Sequence, residues 1–392
     1  MDYLKRTWAD ISLDNLNHNY HARRERLPSG CRFLGVVKAD AYGHGAVPIG
    51  RHLTELGAEY LAVSNIEEAV QLRRGGLRGP ILILGYTPPF YAEDLAAMNL
   101  RQEVHSLEYA RRLNERLSGT KRRIRVHIKL DTGMSRLGFF AYGREQTLEE
   151  LREIASMEHL SVEGVFTHFP VADSVDAADA NFTRTQFERF TAMIDAMKAV
   201  GIEPELRHCC NSGASILYPE YALDMIRPGI ATYGHAPSED AEGILDLRPL
   251  MTVRTTVAQL REIPAVTSIS YGRTYTAERD MRVAVLPIGY ADGLLRGLSG
   301  KVSFRIRGRM ARSVGRICMD MCMVDVSEIP GIRVGDEAAL FGYDTDGTLL
   351  PCERIAQQAG TISYEILCGI SKRIPRIYMQ DGREQEILQY IV

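Results

Sequence analysis

Between Phe33 and Ile230 the chain repeats one pattern eight times: a short apolar run, a polar or glycine-bearing loop, then an amphipathic stretch of helical period. The runs are Phe33–Val37, Tyr60–Val63, Ile81–Leu84, Gln102–His105, Ile124–Leu130, Val162–His168, Glu205–Cys210 and Asp224–Ile230. Runs that short and without alternation suit parallel strands buried on both faces. Eight of them separated by helices predict a (β/α)8 TIM barrel, in which the sheet closes on itself and the helices cover its outside. The helical stretches carry their own signals. Ser64-Asn65-Ile66-Glu67 reads as a capping box opening a helix through Arg74, and Gly57 is expected to close the first helix after Leu56 in a left-handed cap. Phe187, Phe190, Ile194 and Met197 keep one face of another helix, a core stripe.

After about residue 243 the helical period largely disappears. Lys301-Val302-Ser303-Phe304-Arg305-Ile306-Arg307 alternates strictly, and turn signals such as Arg307-Gly308-Arg309 and Val334-Gly335-Asp336 recur. A C-terminal, mostly antiparallel β domain follows from this pattern. The opening Thr7–Leu13 also alternates, which assigns it to the same domain. The expected division is a barrel over 13–242 and a β domain over 243–392 that includes an N-terminal strand within 1–12. A length of 392 residues accommodates two such domains.

The charge balance is nearly even, with a formal net charge of −3, so nothing electrostatic favours nucleic acid or an anionic membrane as partner. Small neutral or zwitterionic ligands remain. No stretch approaches the ~20 apolar residues of a membrane span, and the N-terminus lacks the apolar core of a signal peptide, so a cytoplasmic protein is expected. Seven cysteines scattered through apolar segments suit a reducing compartment. Cys318 with Cys322, and His208-Cys209-Cys210, lack a second pair at zinc-ligand spacing, so no metal site is expected.

The chemistry concentrates at the C-terminal ends of the expected barrel strands, where barrel enzymes carry their sites. Lys38 ends the first run and precedes Ala39-Asp40-Ala41-Tyr42-Gly43-His44-Gly45. A lysine amine desolvated in a cleft loses enough basicity to form a Schiff base or take a proton. Lys129 and the segment Asp131-Thr132-Gly133-Met134-Ser135-Arg136-Leu137-Gly138 follow the fifth run, and His168 the sixth. His208, Asn211 and Ser212 follow the seventh, and Arg227-Pro228-Gly229-Ile230 surrounds the eighth. Ser212 and the backbone of Gly229 and Ile230 are suitable phosphate donors there. A phosphate site beside a Schiff-base lysine is what pyridoxal 5'-phosphate demands. His44, His52, His105 and His127 read as structural.

The segment Val36–Gly45 resembles the cofactor-attachment motif of alanine racemases. Further matches follow in family order: Asp131–Gly138, Thr167-His168-Phe169, Asn211-Ser212, Arg227–Ile230, Ser270-Tyr271-Gly272, Ile288–Gly293, Cys318-Met319-Asp320 and Ser363-Tyr364-Glu365. The resemblance implies a pyridoxal-phosphate barrel followed by a β domain, paired as a head-to-tail homodimer with shared active sites. It implies that Lys38 bears the cofactor, that Tyr42, Ser212, Gly229, Ile230 and Tyr364 surround its phosphate with Asn211 nearby, that Arg227 faces the pyridine nitrogen, and that His168 lies beside the ring. Arg136 and the Met319 backbone would address the substrate carboxylate. Tyr271, Tyr290 and Met319 would come from the partner chain, with Lys129, His208 and Asp320 in support; Lys129 matches a lysine often carbamylated in the family. Three departures stand out: Asp40 where Asn is usual, Phe169-Pro170-Val171 where small polar residues are common, and Gly213 where Ala is frequent.

Racemisation needs an acid/base group on each side of the α carbon. Lys38 and Tyr271 fill those roles in the resemblance, giving interconversion of L- and D-alanine and hence D-alanine for peptidoglycan. Serine or broad-specificity racemisation is the nearest alternative, and Tyr364 favours alanine. A decarboxylase of basic amino acids and a non-catalytic pyridoxal-phosphate protein lack the full motif set.

Overall fold

The computed structural model describes residues 5–142 and 144–391. Residues 1–4 of the expected N-terminal segment, Gly143 of the expected barrel domain and Val392 at the end of the expected β domain lie outside the described residues. Two compact units emerge: Asn17–Ala41 with Ala46–Leu247, and Met1–Leu16 with Tyr42–Gly45 and Arg248–Val392. The first will be called the barrel unit and the second the β unit.

Eight parallel strands line the main path of the barrel unit: β1 (Arg32–Val36), β2 (Tyr60–Val63), β3 (Ile81–Ile83), β4 (Arg101–Val104), β5 (Ile124–Asp131), β6 (Leu160–Phe166), β7 (Leu206–His208) and β8 (Met225–Ile226), with the short strand Phe139–Phe140 pairing parallel to the end of β5 off that path. They hydrogen-bond in the order β8-β1-β2-β3-β4-β5-β6-β7. Among the described residues no ladder joins β7 to β8, but backbone bonds from Asp224 N–H to the Arg207 carbonyl (3.1 Å) and from Arg227 N–H to the Cys210 carbonyl (2.9 Å) bring the two together. The eight expected runs thus become the eight strands. Strands β2, β3 and β4 are buried along their whole length. In β4 that burial takes in Arg101, Gln102 and Glu103, so the barrel interior is partly polar.

Local chemistry explains where the helices begin and end. The helix Ile66–Arg74 is capped by Asn65, whose side chain accepts the Glu68 N–H. The expected cap was Ser64; the cap is Asn65, one residue later, and no reciprocal box closes, because the Glu68 carboxylate accepts the Ser64 and Ala39 N–H groups instead. Gly57, at φ 102°, closes the helix Ala46–Glu55 as expected. In the helix Ala177–Ala199 the buried stripe is Thr183, Gln186, Phe190, Met193 and Met197. Phe187 and Ile194 fall on its half-buried shoulder, so the core face is rotated from the expected one and includes two polar residues.

The β unit is built on a sheet ordered Arg309–Arg312, Ser303–Ile306, Glu337–Tyr343, Met251–Thr256, Thr7–Ser12, Arg376–Gln380 and Arg383–Leu388. Thr7–Ser12 pairs antiparallel with Met251–Thr256 and parallel with Arg376–Gln380, the one parallel ladder of this path. Its alternation buries Ala9 and Ile11 completely. A second, antiparallel sheet joins Gln259–Ile263, Met281–Leu286 and Cys322–Asp325. Ile269, Ala277, Met281, Val283 and Val314 pack together in a core cluster. Among the described residues no helix is long and apolar enough to cross a membrane.

Candidate active site

Lys38 follows β1 and begins a left-handed turn. Ala39, Asp40 and Ala41 have φ of 52°, 55° and 53°, and Tyr42 continues at 52°. Four successive non-glycine residues in this region each cost about 1–3 kcal/mol, so the surroundings must hold them. They do so through named bonds. Ala41 N–H donates to the Val37 carbonyl (2.9 Å), Ala39 N–H to Glu68 Oε1 (2.7 Å), and Ala46 N–H to Asp40 Oδ1 (2.9 Å). Glu68 Oε2 also accepts the Ser64 N–H (2.7 Å), so one carboxylate ties the lysine turn to the start of the next helix. Asp40 acts as the acceptor that opens the helix Ala46–Glu55, a role an Asn oxygen fills equally well; the departure at this position is mild.

At the ends of β5 to β8 the polar groups interlock. Arg227 is buried and donates through Nη2 to the carbonyls of Thr167 (2.7 Å) and Cys209 (3.1 Å). Its Nη1 meets His208 Nδ1 at 3.0 Å, and Nη2 lies 3.5 Å from His168 Nδ1. Burial, together with the cations Lys129, Arg227, Arg136 and Lys38, holds His168 well below the usual imidazole range, so the ring is neutral. Lys129 is buried with its Nζ 4.6 Å from the Phe166 ring centroid. Burial and then Arg227 and Arg136 push its amine far below the ordinary lysine value. Arg136 itself is exposed, on a loop held by Asp131 Oδ1, which accepts the Gly133 and Ser135 N–H groups at 2.9 and 3.1 Å.

A donor set for a phosphate lies beside Arg227. Ser212 Oγ accepts the Gly229 N–H (2.8 Å) and the Ala231 N–H (3.4 Å), so a hydroxyl and several amides converge on one place. Asn211 caps the helix that Ser212 begins, accepting the Ala214 N–H (3.0 Å) and donating to the Phe169 carbonyl (3.0 Å). The glycine at 213 has a packing reason. A Cβ on Gly213 would lie 2.7 Å from the Ala172 carbonyl, so the segment after Phe169 packs against this helix only because residue 213 is glycine.

The remaining candidates lie in the β unit. The Tyr42 ring is 6.0 Å from that of Tyr364. Tyr42 is buried, which pushes its hydroxyl above the usual tyrosine value, with Tyr364 and Cys368 adding to the effect. Gly43 is obligatory, since a Cβ there would stand 2.2 Å from the Leu367 carbonyl, and Arg376 Nε donates to the Gly43 carbonyl (2.9 Å). Two distant motifs dock on each other. The N–H groups of Tyr290 and Ala291 donate to the carbonyls of Cys318 (3.1 Å) and Met319 (3.0 Å), and a Cβ on Gly289 would meet those carbonyls at 2.4 and 2.3 Å. Asp320 accepts from Arg373 (2.9 Å). Tyr271 sits between Ser270 (φ 70°) and Gly272 (φ 69°), and Ser270 Oγ donates to the Arg316 carbonyl (2.7 Å). Tyr271, Met319 and Tyr290 are 70%, 53% and 42% exposed, unlike any buried core side chain.

The structure therefore gathers Lys38, Lys129, Arg136, His168, His208, Asn211, Ser212, Arg227, Gly229 and Ile230 in the barrel unit, and Tyr42, Tyr271, Tyr290, Met319, Asp320 and Tyr364 in the β unit. Sequence reasoning missed Glu68 and Gln186. The first was signalled by its spacing from Asn65; the second, which donates to Thr132 Oγ1 (3.1 Å), carries no local signal. His127, read as structural, is bonded to His208 at 2.8 Å. Among the described residues no group of three or more His, Cys, Asp or Glu side chains could hold a metal ion.

Comparison with known proteins covers the whole of this arrangement. Residues 11–237 match the family description "Alanine racemase, N-terminal domain" and residues 250–378 "Alanine racemase, C-terminal domain". The chain is 41% identical to alanine racemase 2 of Caldanaerobacter subterraneus subsp. tengcongensis over 100% of its own length and 99% of that protein. It is 43% identical to the alanine racemase of Desulfovibrio desulfuricans, covering 95% and 98% of the two chains. The solved alanine racemase of Clostridium difficile 630 superposes with a TM-score of 0.94 at 38% identity, with both chains covered fully. Two full-length domain matches, in the order in which the barrel and β units carry the site motifs, place the chain in the alanine racemase family of pyridoxal-phosphate-dependent isomerases.

Proposed function

We propose that this protein interconverts L- and D-alanine with pyridoxal 5'-phosphate, using Lys38 and Tyr271 of the partner subunit as the two acid/base groups. The observation that carries the reading is the buried Arg227, fixed by two carbonyls and His208 next to the Ser212, Gly229 and Ala231 donors, at the same strand ends as Lys38. The donor set fits the cofactor: a hydroxyl and backbone amides for the phosphate, a guanidinium that cannot surrender its proton for the pyridine nitrogen, and a lysine on a constrained turn. Bound pyridoxal phosphate supplies the electron sink that lets the α C–H bond of an amino acid ionise.

Lys38 removes or returns the proton on one face, and Tyr271 of the partner subunit serves the other. His168, held neutral by burial and the cations around it, hydrogen-bonds without adding charge beside the cofactor ring. Arg136 and the Met319 backbone hold the substrate carboxylate, Tyr42 and Tyr364 complete the phosphate site with Ile230, and Asn211 supports it. Tyr290 and Asp320 brace the substrate side. The depressed basicity of Lys129 favours its neutral, nucleophilic amine, the form that carbamylation requires. Domains at 13–242 and at 243–392 with 1–12, a head-to-tail homodimer, a cytoplasmic location and D-alanine supply for peptidoglycan complete the reading. High exposure of Tyr271, Tyr290 and Met319 supports the shared site, since groups that act in a partner's cleft stand out from their own chain.

The test is L→D conversion of alanine and of serine, side by side, by the wild type, Lys38→Ala and Tyr271→Phe. Alanine is turned over faster than serine, and each variant loses at least about 10³-fold in kcat/KM. Full activity in Lys38→Ala would overturn the assignment, and a serine preference would overturn the substrate alone.

A further inference from the structure

A hydrogen-bonded chain of buried and part-buried side chains runs from Arg227 through His208 and His127 to Glu163 and Arg101. Arg227 Nη1 is 3.0 Å from His208 Nδ1. His208 Nε2 is 2.8 Å from His127 Nδ1, and His127 Nε2 is 3.1 Å from Glu163 Oε2. Glu163 is held in turn by Arg101, through Nε (3.1 Å) and Nη2 (3.2 Å). Both histidines are completely buried.

Only one arrangement of protons satisfies this chain. Arginine has donors alone, and an ionised carboxylate has acceptors alone. His208 must therefore accept at Nδ1 and carry its proton on Nε2. That proton points at His127 Nδ1, which must accept, so His127 carries its own proton on Nε2, toward Glu163. The reverse order would set an N–H of His208 against an N–H of Arg227. Burial holds both rings below the ordinary imidazole value, in keeping with two neutral rings in a row. Residue 164 makes room for the arrangement: a Cβ on Gly164 would lie 2.4 Å from His127 Nδ1 and 2.6 Å from its Cε1. The register agrees, since His127 pairs with Gly164, and Phe166 with His208, across adjacent strands.

We propose that Glu163, His127 and Gly164 are positioning residues that order this relay, so that His208 keeps its Nδ1 lone pair toward Arg227 and holds the guanidinium at the barrel mouth. Glu163 does this without touching the site. Its carboxylate forces the tautomer of His127, which forces that of His208. The consequence for cofactor binding rests on the reading of Arg227 given above; the proton order itself does not.

The experiment uses full-length protein labelled with ¹⁵N in histidine, as purified and after addition of pyridoxal phosphate. Long-range ¹H–¹⁵N spectra should show His127 and His208 as neutral Nε2–H tautomers, unchanged between about pH 6 and 8.5. In His127→Phe, which keeps Glu163 paired with Arg101, the His208 Nε2–H loses its acceptor while Arg227 still faces Nδ1, so the Nε2 resonance of His208 should shift and its Nε2 proton exchange faster with solvent. Pyridoxal phosphate should bind about tenfold more weakly, and kcat for alanine should fall while KM changes less than about twofold. Gly164→Ala should shift all readouts in the same direction, and it guards against misfolding of the first variant. A His208 Nδ1–H signal in the wild type would overturn the proposal, as would a His127→Phe protein with unchanged His208 resonances and cofactor affinity. Absence of racemisation with the ring-nitrogen pattern intact would sink the alanine reading and leave the relay standing.

Discussion

The barrel unit and the β unit hold their candidate residues by opposite means. In the barrel, Arg227, His208 and Lys129 are buried and bonded or packed side chain to side chain, so their geometry is a property of the polar interior. In the β unit, Tyr271, Tyr290 and Met319 reach into solvent, and their backbone is what is fixed, by glycines and positive-φ residues that no other arrangement accommodates. Low-dielectric surroundings make the first kind of site sensitive to charge and proton order. The second kind depends on turn geometry and on whatever the exposed groups meet. A change in the barrel should therefore read out as altered affinity or pH dependence, whereas one in the β unit should read out as lost stability or lost fit to what the exposed groups meet.

The sharpest way to break this contrast is to mix two dead proteins. Lys38→Ala and Tyr271→Phe alone should each lose at least about 10³-fold in activity. Under the proposed head-to-tail dimer, dissociated and reassembled together they should regain about a quarter of the wild-type rate, since half the dimers would be mixed and each of those would have one intact site. A mixture that stays inactive would mean that Tyr271 serves its own chain. Next in size is Gly289→Ala. The added methyl meets two carbonyls at 2.3 and 2.4 Å, so denaturant unfolding should show a loss of about 1–3 kcal/mol, with the Tyr290 and Met319 turns displaced. An unchanged midpoint would show that the frame yields.

Acid should separate the units. His168, His208 and His127 are held neutral in the fold, so below about pH 6.5 the unfolded chain binds protons that the folded barrel does not. Glu163, lowered from 4.5 to about 2, adds to this once the pH passes below 4.5. Every one of these groups has a depressed folded value, so stability is lost as pH falls, across that window and down toward pH 2. Helical far-UV signal, carried mainly by the barrel unit, should decay before the fluorescence of Trp8, which is buried in the β unit. Coincident transitions would show that the acid sensitivity is not confined to the barrel. The smallest effect belongs to Glu68→Ala, which frees the amides of Ala39 and Ser64. About 1–2 kcal/mol of stability should go, and pyridoxal phosphate should bind more weakly as the lysine turn loosens. Unchanged affinity in a titration would mean that the left-handed turn holds without its carboxylate.

How far the site could be read depended on how local each cause was. Lys38 was legible because a charge ends an apolar run, and Arg227 because it follows another. The capping residue was misplaced by one position, Ser64 for Asn65, since both types cap helices and only the partner of Glu68 decides between them. His127 looked like an ordinary core histidine; its bond to His208 joins residues 81 positions apart, which no spacing rule reaches. The strand Arg101–Val104 was found despite its polar content, but what those polar groups do inside the barrel was not legible. Gly213 looked like an isolated departure; its reason is the close approach of the Ala172 carbonyl, which no local pattern shows.

The sequence by itself determined the alternation of eight strands with helices, the change of period near residue 243 and the residue types at each strand end, because hydrophobic periodicity and turn chemistry act over a few neighbours. Tertiary structure alone decided which of those residues meet. Closing the barrel puts His127 of β5 against His208 of β7 and Glu163 of β6, and docking Gly289 on Cys318 and Met319 sets Tyr290 beside them. Such meetings depend on strand register and on the absence of single Cβ atoms at Gly164 and Gly289, conditions that exist only once distant backbone segments lie within van der Waals reach.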